Sequence, residues 1–188
     1  MIKELVMKNR SYRRFWEERK IKLEELEQLV ELARYSGSGA NLQPLKYILA
    51  CTPEKNSKIF PALKWAGYLT DWSGPVEGER PTGYIVIVGD KNISKIFGVD
   101  PGIVMQSMLL GAVELGLGGC MFGSINREDL KENLNVPDQY EILYVLALGK
   151  PKEEVEIEDA VESIKYYRDE NSVHHVPKRT MKELILDC

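Results

Sequence analysis

The chain has 188 residues, which suits one domain with a sizeable core. Its 44% hydrophobic and 29% charged residues are ordinary for a soluble globular protein, and a net charge of -4 argues against a nucleic-acid binder, which carries a basic excess. No apolar run approaches the roughly 18 residues of a membrane helix. Lys3, Glu4 and Lys8 interrupt the first apolar residues, and three scattered cysteines form no disulfide framework, so a reducing, cytoplasmic setting is expected.

A short apolar-periodic stretch (Ile2, Leu5, Val6) leads into Arg10-Ser11-Tyr12-Arg13-Arg14-Phe15. Arginine is always charged and presents a planar fork of donors that matches phosphate oxygens. Arg10 and Arg13 stand three apart, so a helical turn would point them the same way, with Ser11 as a further donor. The residues alone leave open a solvated basic patch paired with Glu17 and Glu18. Leu23, Leu26, Leu29, Val30 and Ala33 recur at helical spacing and predict an amphipathic helix over residues 22–35. The loop from Ser36 to Pro44 ends it. Its small residues permit close backbone approach to a ligand, and Ser38, Asn41 and Gln43 offer donors and acceptors; they are equally the residues of an ordinary turn.

Residues 47–51 read as a buried strand, and Pro53 opens a helix running through Leu63 to Trp65. Residues 67–83 are rich in Gly, Pro and polar types and predict a long functional loop, with Tyr68 and Trp72 exposed on it to stack against planar substrates. Residues 84–88 form a nearly continuous apolar run, as in a central strand. Asp100 is placed to cap a helix over residues 101–115 that is apolar on several faces and therefore buried or at a subunit interface. Gly116 caps its end. A short strand (residues 120–122), a helix (127–134) and a strand (142–148) closed by Gly149 and Pro151 follow. An acidic, polar stretch over residues 152–169 then precedes a last helix over residues 180–186. The mixed order predicts an α+β fold with helices around a central sheet.

Arg10-Ser11-x-Arg13-x-Phe15, Ser38-x-x-Asn41-x-Gln43-Pro44, Gly116-Leu117-Gly118-Gly119-Cys120, Leu148-Gly149-Lys150-Pro151 and Pro177-Lys178-Arg179 occur in that order. Together they resemble the nitroreductase family of FMN-dependent oxidoreductases over nearly the whole chain. The resemblance implies one nitroreductase-like domain over residues 1–188, a central, mostly antiparallel sheet surrounded by helices, and a homodimer with FMN at the subunit interface. It implies that Arg10, Ser11 and Arg13 hold the FMN phosphate, joined by Lys178 or Arg179. Ser38, Asn41 and Gln43 would reach the isoalloxazine ring from the partner subunit. Backbone amides around Phe122, Gly123 and Ser124 would approach flavin N5 and O4, where charge develops on reduction. Asn9 stands where the family often has a further arginine, Gly37 where proline is common, and Leu45 where tryptophan is common.

No catalytic side chain stands out, as expected where a cofactor carries the chemistry. By resemblance the chain would take a hydride from NADH or NADPH and pass two electrons to a nitroaromatic, a quinone or a similar electron-poor acceptor in a ping-pong cycle. A flavin carrier or sensor without turnover, and a specialist such as a reductive dehalogenase, are the other readings. A GxGxxG fingerprint would need glycine where Met121 stands, and no P-loop occurs. His174 and His175, the only histidines, are adjacent and have no partner at metal-ligand spacing.

Overall fold

Every position of strand β2 (Gly83–Asp90) is buried, because both of its faces are covered. The computed structural model describes residues 1–187. Side chains alternate along a strand, so Tyr84, Val86 and Val88 enter one apolar cluster while Ile85 and Ile87 enter another. Strands β1 (Leu45–Ala50), β3 (Gly118–Phe122) and β4 (Tyr140–Gly149) complete a sheet in the order β1-β2-β4-β3, antiparallel throughout. Helices α2 (Leu23–Arg34) and α4 (Asp100–Glu114) bring Leu26, Leu29, Val104, Met105 and Met108 to one face. Ile59 of α3 (Pro53–Ile59) and Leu130 of α5 (Arg127–Asn133) pack on the other. An antiparallel sheet often leaves one face to solvent; here helices cover both, which is why its central strands read as continuous apolar runs.

Helix α1 (Ile2–Lys8) has no buried residue and leaves Ile2, Val6 and Met7 exposed. Helix α4 ends in a Schellman motif, with Leu117 N–H bonding the Ala112 carbonyl at 2.7 Å and Gly116 N–H the Val113 carbonyl at 3.0 Å. Gly116 takes φ +68 there, which a side chain would strain.

Three expectations are corrected, and a stretch to which the sequence assigned no element proves to hold strands. Asp100 lies inside α4, and Val99 occupies the cap position. The helix begun at Pro53 stops at Ile59, because Pro61 cannot continue it, and a 3-10 turn (Phe60–Ala62) follows. The acidic stretch over residues 152–169 contains strands β5 (Val155–Asp159) and β6 (Tyr167–Arg168). With β7 (His174–Lys178) they form a second sheet, β5-β7-β6, in which β5 and β7 run parallel. Its strands are short and half-solvated, so they carry little apolar periodicity of their own. The last helix, α6, spans only Met181–Leu184.

Candidate functional site

After α1 the chain straightens. Residues 9–15 are extended, not a helical turn: Ser11 bridges Gly119 in parallel, Phe15 bridges Pro151, and Tyr12 N–H bonds the Gly119 carbonyl at 3.0 Å. The glycines of β3 permit close approach on both sides. A Cβ at Gly118 would lie 2.5 Å from the Tyr12 ring, and one at Gly119 would lie 2.7 Å from the Ala147 carbonyl oxygen. Gly118 therefore serves close packing of the arginine segment on the sheet edge, and Gly119 close packing of β3 against β4 and α4.

That segment lines a cavity of about 320 Å³ in which Arg10, Ser11 and Arg13 meet Met121, His174 and Lys178. Arg10 donates through Nη2 to the Val6 carbonyl at 2.6 Å, and its Nε is buried without a partner. Burial lowers the pKa of this guanidinium, the mark of a cation withdrawn from water without a counter-charge. Arg13 is buried; its Nη1 donates to the Ser11 carbonyl at 3.2 Å and stands 3.1 Å from His174 Nε2, while its guanidinium lies 4.7 Å over the Tyr166 ring. Among the described residues, the side chains of Arg10, Arg13 and Lys178 form no ion pair. Glu17 instead accepts the backbone amides of Gly78 and Arg80. Three cations without an ion-pair partner around one hollow form an arrangement that favours an anion.

A buried carboxylate frames it. Glu153, with a side chain fully withdrawn from solvent, accepts the backbone N–H of Arg13 and of Arg14, and takes Arg168 Nη2 at 3.0 Å. Arg168 in turn lies 4.3 Å over the Trp72 ring, and Trp72 packs edge-on against Trp65 at 6.2 Å. Trp72 is thus half-buried and engaged on both sides, contrary to the expectation that it is exposed. Tyr68 is exposed; its ring lies 4.9 Å from that of Tyr166, whose hydroxyl accepts the Tyr68 N–H at 3.3 Å. Neither aromatic lines the cationic cavity. Glu153, Tyr166, Arg168 and His174 escaped sequence reading because no motif or periodicity marks them; they converge only through the second sheet.

The predicted residues divide among separate places. Lys178 lines the cavity, whereas Arg179 lines an outer hollow with Tyr68 and pairs with Glu183 at 3.8 Å. Phe122 is a core residue, 4.6 Å from Trp65, with Gly123 and Ser124 exposed beyond it. Ser38 and Gln43 line a different hollow of about 200 Å³ beside Asp100 and Tyr47. Ala40, Asn41 and Gln43 in this loop all have φ near +50 (47, 55 and 50), a costly run for residues with side chains. Asp100 holds it, accepting Ser38 Oγ at 2.5 Å and Gly39 N–H at 2.9 Å, and Gln43 Nε2 reaches Asn41 Oδ1 at 3.1 Å. The carboxylate that the sequence suggested as a helix cap therefore braces the amide-bearing loop.

The family model described as "Nitroreductase family" matches residues 6–69 and 83–150. A protein of Archaeoglobus fulgidus, named provisionally as an NADH dehydrogenase/NAD(P)H nitroreductase, is 27% identical over 155 residues, covering 78% of this chain and 84% of the relative. A nitroreductase family protein from Clostridium difficile 630 superposes with a TM-score of 0.63 at 26% identity, covering 80% of this chain and 84% of that one. An FMN-dependent nitroreductase from Clostridium difficile R20291 shares the fold, with a TM-score of 0.65 at 24% identity over 82% of this chain and 89% of its own.

Proposed function

The chain belongs to the nitroreductase family, and on that premise we propose that it is an FMN-dependent oxidoreductase carrying two electrons from NADH or NADPH to a nitroaromatic, a quinone or a similar electron-poor acceptor by a ping-pong mechanism. The carrying observation is the cavity where Arg10, Arg13 and Lys178 stand without a carboxylate partner. The orphaned Arg10 Nε and the roughly 320 Å³ of space fit a phosphate-bearing tail. FMN, when bound, supplies the hydride chemistry, and the protein supplies binding, orientation and electrostatics.

Arg10, Arg13 and Lys178 neutralise the phosphate, with the Ser11 hydroxyl as a further donor. Donors at Phe122, Gly123 and Ser124 would favour charge on the reduced ring. Ser38 and Gln43 of the braced loop line a hollow other than the cationic cavity of their own chain, and Asn41 is exposed beside them, which suits a contribution to the partner's site in a homodimer. The exposed apolar residues Ile2, Val6, Met7 and Ile103 on α1 and α4 supply surface for such an association.

The visible spectrum of purified protein, followed by anaerobic addition of NADH and NADPH, tests the reading. A yellow protein bleached by a nicotinamide and re-oxidised by an added quinone is expected. A yellow protein inert to both nucleotides would point to a carrier or sensor instead.

A further inference from the structure

The Arg13 guanidinium can only donate hydrogen bonds, so His174 Nε2, 3.1 Å from Nη1, must accept one. That constraint assigns the ring as neutral, with its proton on Nδ1. The ring is buried, and Nδ1 has no partner. Buried unpaired donors are rare and costly, and an apolar side chain at this position would avoid the cost. The imidazole is accounted for by what Nε2 does.

Its surroundings keep it an acceptor. Arg13 and Arg14 face it from the N-terminal segment, Arg168 from β6 and His175 from β7 itself, and the Tyr166 ring lies 5.2 Å away. The nearby Glu153 carboxylate is taken up by the Arg13 and Arg14 amides and by Arg168. Burial first, and then these positive charges, hold His174 down to about 4, so at neutral pH it carries no charge to repel Arg13.

Resting on the flavin reading above, we propose that His174 is a positioning residue: by accepting from Nη1 it fixes the Arg13 guanidinium over the Tyr166 ring, leaving its remaining donors for the cofactor phosphate. Arginine loses less freedom per hydrogen bond when its fork is held in advance, and that restraint is what an acceptor behind it provides.

FMN and riboflavin, which differ only in the phosphate, are the two probes, and binding is read by quenching of flavin fluorescence. His174→Ala should weaken FMN by about tenfold and leave riboflavin unchanged. His174→Gln, which offers a neutral acceptor at about the reach of Nε2, should recover most of the loss. No loss, or equal loss for both flavins, overturns the assignment. Should the alanine variant fail to fold, wild type and His174→Gln are compared as the pH falls from about 7 towards the imidazole's value of about 4. Wild type should then lose FMN affinity relative to the glutamine variant, and parallel curves overturn the assignment. A wild-type chain that binds neither flavin overturns the flavin reading itself, and this inference with it.

Discussion

Lys178 and Arg179 are neighbours in sequence, yet Lys178 lines the cationic cavity while Arg179 lines an outer hollow and holds Glu183. The end of β7 separates them: successive residues leaving a strand point to opposite sides. Lys178→Ala is therefore expected to weaken FMN binding by about tenfold and to flatten its salt dependence. Arg179→Ala should leave both unchanged. Equilibrium dialysis at two ionic strengths checks the pair, and equal effects from the two variants would refute the division.

Glu153 is the structural hinge of the site. Replacing it with alanine leaves two backbone amides and Arg168 without their carboxylate partner in a largely buried place. Breaking a buried ionic partnership costs roughly 3–5 kcal/mol, a fall in Tm on the order of 10 °C for a chain of this size. Thermal unfolding followed by circular dichroism measures it. A shift of only a degree or two would mean that the carboxylate is dispensable.

The two histidines should pull stability in opposite directions with pH. His174 is held down to about 4, mainly by burial and then by Arg13. Its contribution is complete above the unfolded value of about 6.5 and is lost as pH falls towards 4, in total on the order of 3 kcal/mol. Burial also works against the His175 imidazolium, but Glu158 at 3.2 Å and Asp169 at 3.5 Å outweigh it, so its pKa is raised. Its contribution is complete below about 6.5 and is lost as pH rises through that raised pKa. Denaturant midpoints from acid to mildly alkaline pH should show the acid-side loss vanish in His174→Gln and the loss on the other side vanish in His175→Gln. Unaltered pH profiles in both variants would contradict the assignments.

Trp72 ties the loop to the main core through Trp65 and to the second sheet through Arg168. Trp72→Ala should cost roughly 2–3 kcal/mol of stability, below the range for a fully buried tryptophan because this one is half-exposed. Tyr68→Ala, at an exposed site, should cost under about 1 kcal/mol. Urea titrations of the two variants decide it; a larger loss for Tyr68 would make that ring, and not Trp72, the anchor of the loop.

Local pattern in the sequence determined much of this protein. The apolar run at Tyr84–Val88, the periodic Leu26, Leu29 and Ala33, and the arrest at Gly116 each report a force acting within a few residues: burial on both faces, a single buried stripe, a left-handed cap. The clustering of Arg10, Ser11 and Arg13 was legible for the same reason, since the charge is local even though the backbone there proved extended. What only tertiary structure decided are relations between distant segments. Glu153 reads as one more acid in a polar stretch until β5 and β7 pair and carry it to the amides of Arg13 and Arg14. Asp100 reads as a helix cap until its helix packs beside the Ser38 loop. His174 reads as half of a dipeptide without a partner at metal-ligand spacing until it is buried 3.1 Å from a guanidinium 161 positions earlier. Such pairings gain their energy by excluding water from polar groups far apart in the chain, and no periodicity records that.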